Sequence, residues 1–221
     1  MKQKLIHAAI AAVLTTLCAT AQAVPVISLS VDGAGPIYCA DGASCDGSSV
    51  AGVVHFNYSG GDFAINAMTG ISKPVHTTGV PAMHLDTVNL QVNGVAHTLV
   101  IRLTDTNFYF AGPFSAAYSA MLSSSGRGAT FSYAADWNWF EAGGSIGSVG
   151  PLGQGQHSGT FAGGIAPNGP YSLTQTLTLT TVKDAVTNFS GNFEVNVAEP
   201  ATLALLGVGL IGFAAVRRRR R

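Results

Sequence analysis

Between Tyr171 and Thr180 the chain alternates with a period of two. Tyr171, Leu173, Leu177 and Leu179 fall on one side, and Ser172, Thr174, Thr176, Thr178 and Thr180 on the other. Successive side chains of a strand point to opposite faces, so this run predicts a strand with one buried face and a threonine-rich solvent face. The same period recurs at Phe131-Tyr133-Ala135-Trp137-Trp139 against Ser132, Ala134, Asp136, Asn138 and Phe140. It recurs again at Phe189, Phe193, Val195 and Val197 against Asn192, Glu194 and Asn196. Val24 to Val31, Val50 to Tyr58 and Phe63 to Met68 add shorter runs. The one weak helical candidate is Ser115 to Leu122. About eight or nine short strands without βαβ spacing predict an all-β fold, an antiparallel β-sandwich, with a jelly roll compatible.

Two stretches carry turn chemistry. Val88 to Val92 and Val95 to Leu99 flank Asn93-Gly94. Asn-Gly between alternating runs predicts a two-residue hairpin, with Leu90 opposite His97 and Val92 opposite Val95. That register makes His97 a half-buried, hydrogen-bonded histidine on an apolar face. Residues 142–169 hold ten glycines in 28 and show no periodicity, which predicts a long flexible loop or a broken hairpin.

Both ends of the chain read as targeting segments. Lys2 and Lys4, the apolar Ile10 to Leu17 and the small-residue site Ala21-Gln22-Ala23 make residues 1–23 a signal peptide, so the mature chain is expected to start at Val24. At the other end, Val197-Ala198-Glu199-Pro200 precedes sixteen residues without a charge, Ala201 to Val216, and then Arg217, Arg218, Arg219, Arg220 and Arg221. As a helix, 201–216 spans roughly 24 Å, short of the hydrocarbon core of about 30 Å, and snorkelling arginine stems cover part of the deficit. The arginine block acts as a membrane stop signal that stays cytoplasmic and leaves residues 24–197 as an ectodomain on the other side.

The tail 197–221 resembles the PEP-CTERM sorting signal of bacterial exosortase substrates. Glu199-Pro200 matches the core of that motif, and Ala198 stands where a proline is usual. The resemblance implies an exosortase-type sorting protease as partner. It also implies transient residence in the inner membrane through the C-terminal helix, then transfer to the cell surface or extracellular matrix.

Between the two ends, residues 24–197 hold four basic residues (Lys73, Arg102, Arg127, Lys183) against eight aspartates and two glutamates, a net charge of −6. That balance argues against nucleic acid as a partner. Cys39 and Cys45 are expected to form a local disulfide in an oxidising compartment. Asp32, Asp41 and Asp46 lie near them, but their spacing matches no calcium loop.

Chemistry-bearing patterns are weak. Gly143-Gly144-Ser145-Ile146-Gly147 fits G-x-S-x-G, but no helix is expected after it, as a nucleophile elbow requires. His55, His76, His84, His97 and His157 are scattered, with His76 and His84 able to meet near Asp86 as a metal site. Asp136 and Glu141 flank the two tryptophans and are the carboxylates a glycoside hydrolase would need. The expected reading is a non-enzymatic surface or matrix protein, associated with exopolysaccharide or biofilm, with no metal and no cofactor. The aromatics share one alternating face, which is the position of core residues; the alternative is a carbohydrate-binding module that holds exopolysaccharide through Tyr133, Asp136, Trp137 and Trp139, since aromatic faces suit the apolar faces of sugars.

Overall fold

The computed structural model describes residues 24–72, 82–108, 112–139, 142–165 and 169–197. They form β1 (Val26–Val31), β2 (Ile37–Ala40), β3 (Val53–Gly60), β4 (Phe63–Ile71), β5 (Ala82–Val92), β6 (Thr98–Phe108), β7 (Gly112–Ser124), β8 (Thr130–Trp139), β9 (Ala142–Leu152), β10 (Gly155–Ile165), β11 (Tyr171–Thr180) and β12 (Ala185–Val197). One six-stranded sheet has the order β2-β1-β6-β11-β8-β9 and the other β10-β7-β12-β5-β4-β3. Every strand pair is antiparallel. Strands β5 to β12 follow the jelly-roll order, β5-β12-β7-β10 facing β6-β11-β8-β9. The two pairs β1–β2 and β3–β4 widen that roll on one side.

The core lies between the sheets and follows the alternation. Leu173, Leu177 and Leu179 of β11 are buried with Ile101 and Leu103 of β6 and Phe131 and Tyr133 of β8. Phe189, Phe193 and Val195 of β12 meet them from the other sheet, with Phe131 and Phe189 edge to face at 5.2 Å. Gln175 sits among the leucines, fully buried, and its Nε2 donates to the Met83 carbonyl of the opposite sheet at 2.7 Å. At up to about 25 cal/mol per Å² of apolar surface removed from water, this shared interior is the main stabilising contribution.

Four expectations are corrected. Asn93-Gly94 does not close a hairpin: β5 pairs with β4 and β12, and β6 pairs with β1 and β11. Gly94, at φ +90°, turns the chain from one sheet to the other, so Leu90 and Val92 meet Leu99 and Ile101 across the core and not along a ladder. The glycine-rich stretch is two strands, β9 and β10, at the edges of opposite sheets. Ser115 to Leu122 lies in β7, where Ala116, Ala120 and Leu122 turn inward and Ser115, Ser119 and Met121 outward. Twelve strands, not eight or nine, stand among the described residues.

Side chains from elsewhere explain the glycine-rich strands. A Cβ added at Gly147 would lie 2.2 Å from the Phe161 ring, and one at Gly144 would lie 2.9 Å from Trp137 Nε1. The rings occupy the volume that side chains of β9 would fill, so the strand forms without the alternation that would announce it.

Candidate functional site

The aromatic row of β8 points into the sandwich. Phe131, Tyr133 and Ala135 are buried, and Trp137 is half-buried beside the Tyr171 ring at 6.4 Å, edge to face. Tyr133 is 1% exposed and lies 6.2 Å from Tyr118 of the opposite sheet. Burial pushes its phenol well above the ordinary tyrosine value. Tyr133 is therefore a core residue and is corrected as a sugar contact, because the facing sheet covers it. Asp136 and Asn138 take the outer face, away from the Trp137 ring, as strand alternation requires. The Trp139 side chain and Glu141 lie outside the described residues, as do His76 and the tail residues 198–221. Ser145 stands exposed in β9, which continues as strand to Leu152, so no helix follows the G-x-S-x-G match.

Among the described residues two histidine–aspartate pairs are formed. On the outer face of the β5 sheet, His84 Nε2 is 2.6 Å from Asp86 Oδ2. Burial works to raise the Asp86 carboxyl, but hydrogen bonds from His84 and Ser190 outweigh it and hold the group below the usual aspartate range. At one end of the sandwich, Asp32 receives His97 Nδ1 at 2.7 Å and the Thr98 N–H at 2.8 Å. These bonds, the His97 one foremost, lower the Asp32 carboxyl. His97 is nearly buried against Phe63, with ring centroids 5.5 Å apart.

Cys39 and Cys45 are bonded, with Cα atoms 5.8 Å apart. Just after the loop they close, Asp46 and Gly47 tie to His55 and Phe56 of β3. Asp46 bridges to Phe56, and the Gly47 N–H donates to the His55 carbonyl at 2.8 Å. The Asp46 carboxylate accepts N–H groups of His55, Ser48 and Gly42 at 2.8, 2.9 and 3.0 Å. Burial raises that carboxyl, and these donors more than offset it, leaving it below its usual value. Asp41 Oδ2 accepts from the Gly52 N–H at 2.7 Å. Asp41, Asp46 and Asp32 thus each serve a backbone or histidine partner. No group of three metal-ligating side chains occurs among the described residues.

Sequence reasoning missed Asp105, which is fully buried in β6. Ser72 Oγ donates to its Oδ2 at 2.6 Å, and the Val24 N–H lies 3.4 Å from its Oδ1. Its only sequence signal is one carboxylate on the apolar side of an alternating run, beside Ile101 and Leu103.

The last strand leads straight to the tail. β12 is an inner strand between β5 and β7, and it stays paired to its end, Asn196 with Ser115 and Val197 with Phe114. Residues 196–220 match the PEP-CTERM protein-sorting motif. The C-terminal tail carries a PEP-CTERM sorting motif. The signal overlaps the last two residues of β12, so no linker separates the sandwich from the motif. Among the described residues no helix is long and apolar enough to cross a membrane, and 201–216 lies outside them.

No curated protein matches the chain. Among solved structures it is similar to TmCBM61 in complex with β-1,4-galactotriose, at 8% identity and TM-score 0.31, over 51% of this chain and 83% of that one. It is similar to a CBM4 structure at 6% identity and TM-score 0.31, over 66% and 87%. The enzymatically active domain of bacteriophage CBA120 tailspike protein 4 matches at 10% identity and TM-score 0.31, over 70% of this chain and 20% of that one. At that TM-score nothing carries over from these proteins to this chain.

Proposed function

We propose that the chain is a non-enzymatic surface or extracellular-matrix protein, associated with exopolysaccharide or biofilm, whose sandwich plays a structural or adhesive part. The observation that carries this reading is the sorting motif at 196–220, joined without a linker to a paired inner strand. In it, residues 1–23 direct export, and cleavage after Ala23 leaves the new Val24 ammonium beside the Asp105 carboxylate. Residues 201–216 hold the chain in the inner membrane, and Arg217 to Arg221 stop transfer. An exosortase-type protease then cuts near Ala198-Glu199-Pro200. The test is an ectodomain tag followed through cell fractionation with and without the sorting protease. Release that depends on the protease is the expected result. Full-length protein retained in the inner membrane in both strains overturns the reading in favour of a plain single-pass protein.

The carbohydrate-binding alternative cannot use Tyr133. Asp136 remains open to it on the outer face of the β11 sheet, where Ser132, Ser148, Thr176 and Thr178 also line an open depression of about 190 Å³. Hydroxyls there suit hydrogen bonds to a polysaccharide, and Thr176→Lys should abolish retention on an exopolysaccharide affinity gel if this reading holds.

A further inference from the structure

Asp105 is the only carboxylate of β6, and it is fully buried on the inward side beside Leu103. Neutral donors converge on it. The Ser72 hydroxyl, just past the end of β4 in the opposite sheet, donates to Oδ2 at 2.6 Å. The Thr106 and Val24 N–H groups donate to Oδ1 at 2.7 and 3.4 Å. The Val24 nitrogen is fixed there by the residues that follow it. Pro25 is buried and its carbonyl accepts the Asp41 N–H at 2.9 Å, and Val26 opens the β1 ladder opposite Thr104.

An ionised carboxylate in an apolar interior is costly unless charge and hydrogen bonds answer it. While Ala23 is attached, the Val24 nitrogen is an amide with one N–H and no charge. Hydrolysis of the Ala23–Val24 bond consumes one water, leaves Ala23 with a carboxylate and gives Val24 an ammonium. The new charge then stands on a nitrogen already within reach of Oδ1. Hydrogen bonds between ionised groups are roughly twice as strong as neutral ones.

We propose that Asp105 is the receptor for the mature N-terminus: the α-ammonium released at Val24 pairs with Asp105 and locks the start of β1 to β6 and to the end of β4. The proposal rests on the export reading of residues 1–23 and adds what removal of the leader does to the fold. Position matters. One residue more or less moves the nitrogen by a Cα step of about 3.8 Å, out of hydrogen-bond reach. The sandwich therefore accepts the end made by cutting after Ala23 and not its neighbours. Timing matters too. The ammonium does not exist in the precursor, so the folded state gains this tie only after the leader has been removed.

The experiment compares the whole mature chain, 24–221, carrying a free Val24 amine, with the same chain acetylated at that amine, both in detergent. Acetylation keeps an N–H and removes the charge. In wild type it should lower Tm by roughly 3–8 °C, and in Asp105→Asn it should change Tm by less than about 1 °C. A chain that retains Ala23, with its amine one residue further out, should melt like the acetylated form. Equal losses on acetylation in wild type and Asp105→Asn, or no loss in wild type, overturn the pairing. If Asp105→Asn does not fold, the reactivity of the wild-type amine decides. Relative to the exposed Lys183, acetic anhydride should modify Val24 at least about tenfold more slowly in the folded chain than in urea. Equal relative rates overturn the pairing. None of these measurements depends on where cells cut. N-terminal sequencing of the exported protein reads that separately, and a start other than Val24 overturns the maturation role while the pair in the purified chain stands.

Discussion

On the β2–β3 side the sandwich is finished by a loop of charged and covalent ties. A disulfide closes it, and the Asp41 and Asp46 carboxylates order its backbone N–H groups against β3. On the β9–β10 side there is no Asp, Glu, Lys or Arg from 142 to 165, and rings lie directly on glycine backbone. The first side ties its β3 edge at His55 and Phe56 from within the chain and depends on ionisation. The second is held by close packing. The two sides should therefore respond to different insults.

The largest effect should come from breaking what both sides share. β11 sits between β6 and β8, so Leu177→Asp should remove more than about 4 kcal/mol and unfold both sides together, because an unpaired carboxylate enters the core. A denaturant melt in which one side survives would show that the sides are independent units. Gly147→Val should cost about 2–3 kcal/mol by forcing the Phe161 ring aside, with hydrogen exchange rising in β9 and β10 and not around β3. Cys39→Ser with Cys45→Ser should cost at most about 2 kcal/mol, since the closed loop is short, and the loosening should appear at the β3 edge.

Acid should separate the sides without any substitution. The Asp46 and Asp32 carboxyls are held below the ordinary value of about 3.9 by their hydrogen bonds. Depressed carboxyls contribute stability that is present above that value and lost as pH falls through the folded-state pKa. Between about pH 4 and pH 2 the amides of Gly42, Ser48 and His55 should lose protection while those of β9 and β10 keep theirs. Equal loss on both sides would mean that the capping carboxylates do not hold the loop. The smallest effect is the control: Thr176→Asp, on the outer face of β11, should shift stability by about 0.5 kcal/mol or less in a thermal melt.

How legible each part was follows from the range of the interaction that decides it. The inward face of β11 and the sorting tail are local patterns, a period of two and three segments in order, and both could be read from neighbouring residues. Asn93-Gly94 was misread because the turn looks the same whether the strands it joins share a sheet or face each other. The choice was made by β4 and β12 on one side and β1 and β11 on the other. Residues 142–165 gave no strand signal because Trp137 and Phe161 supply the missing side-chain volume. Tyr133 falls on the face that alternation marks as core, and Tyr118 of the opposite sheet covers it.

The sequence alone thus determined that the chain is built of strands, which side of β11 is apolar, where the cysteine pair lies and what signal ends the chain. These depend on side-chain alternation and contiguous motifs, which act over a few residues. Only the tertiary structure decided which sheet each strand joins and which residues tie the β3 edge. Those outcomes are set by hydrogen bonds and ring contacts between residues far apart in the chain, such as Gln175 and Met83, 92 positions apart. No local pattern encodes which of several compatible partners a strand will meet, because backbone hydrogen-bonding groups are alike in every strand.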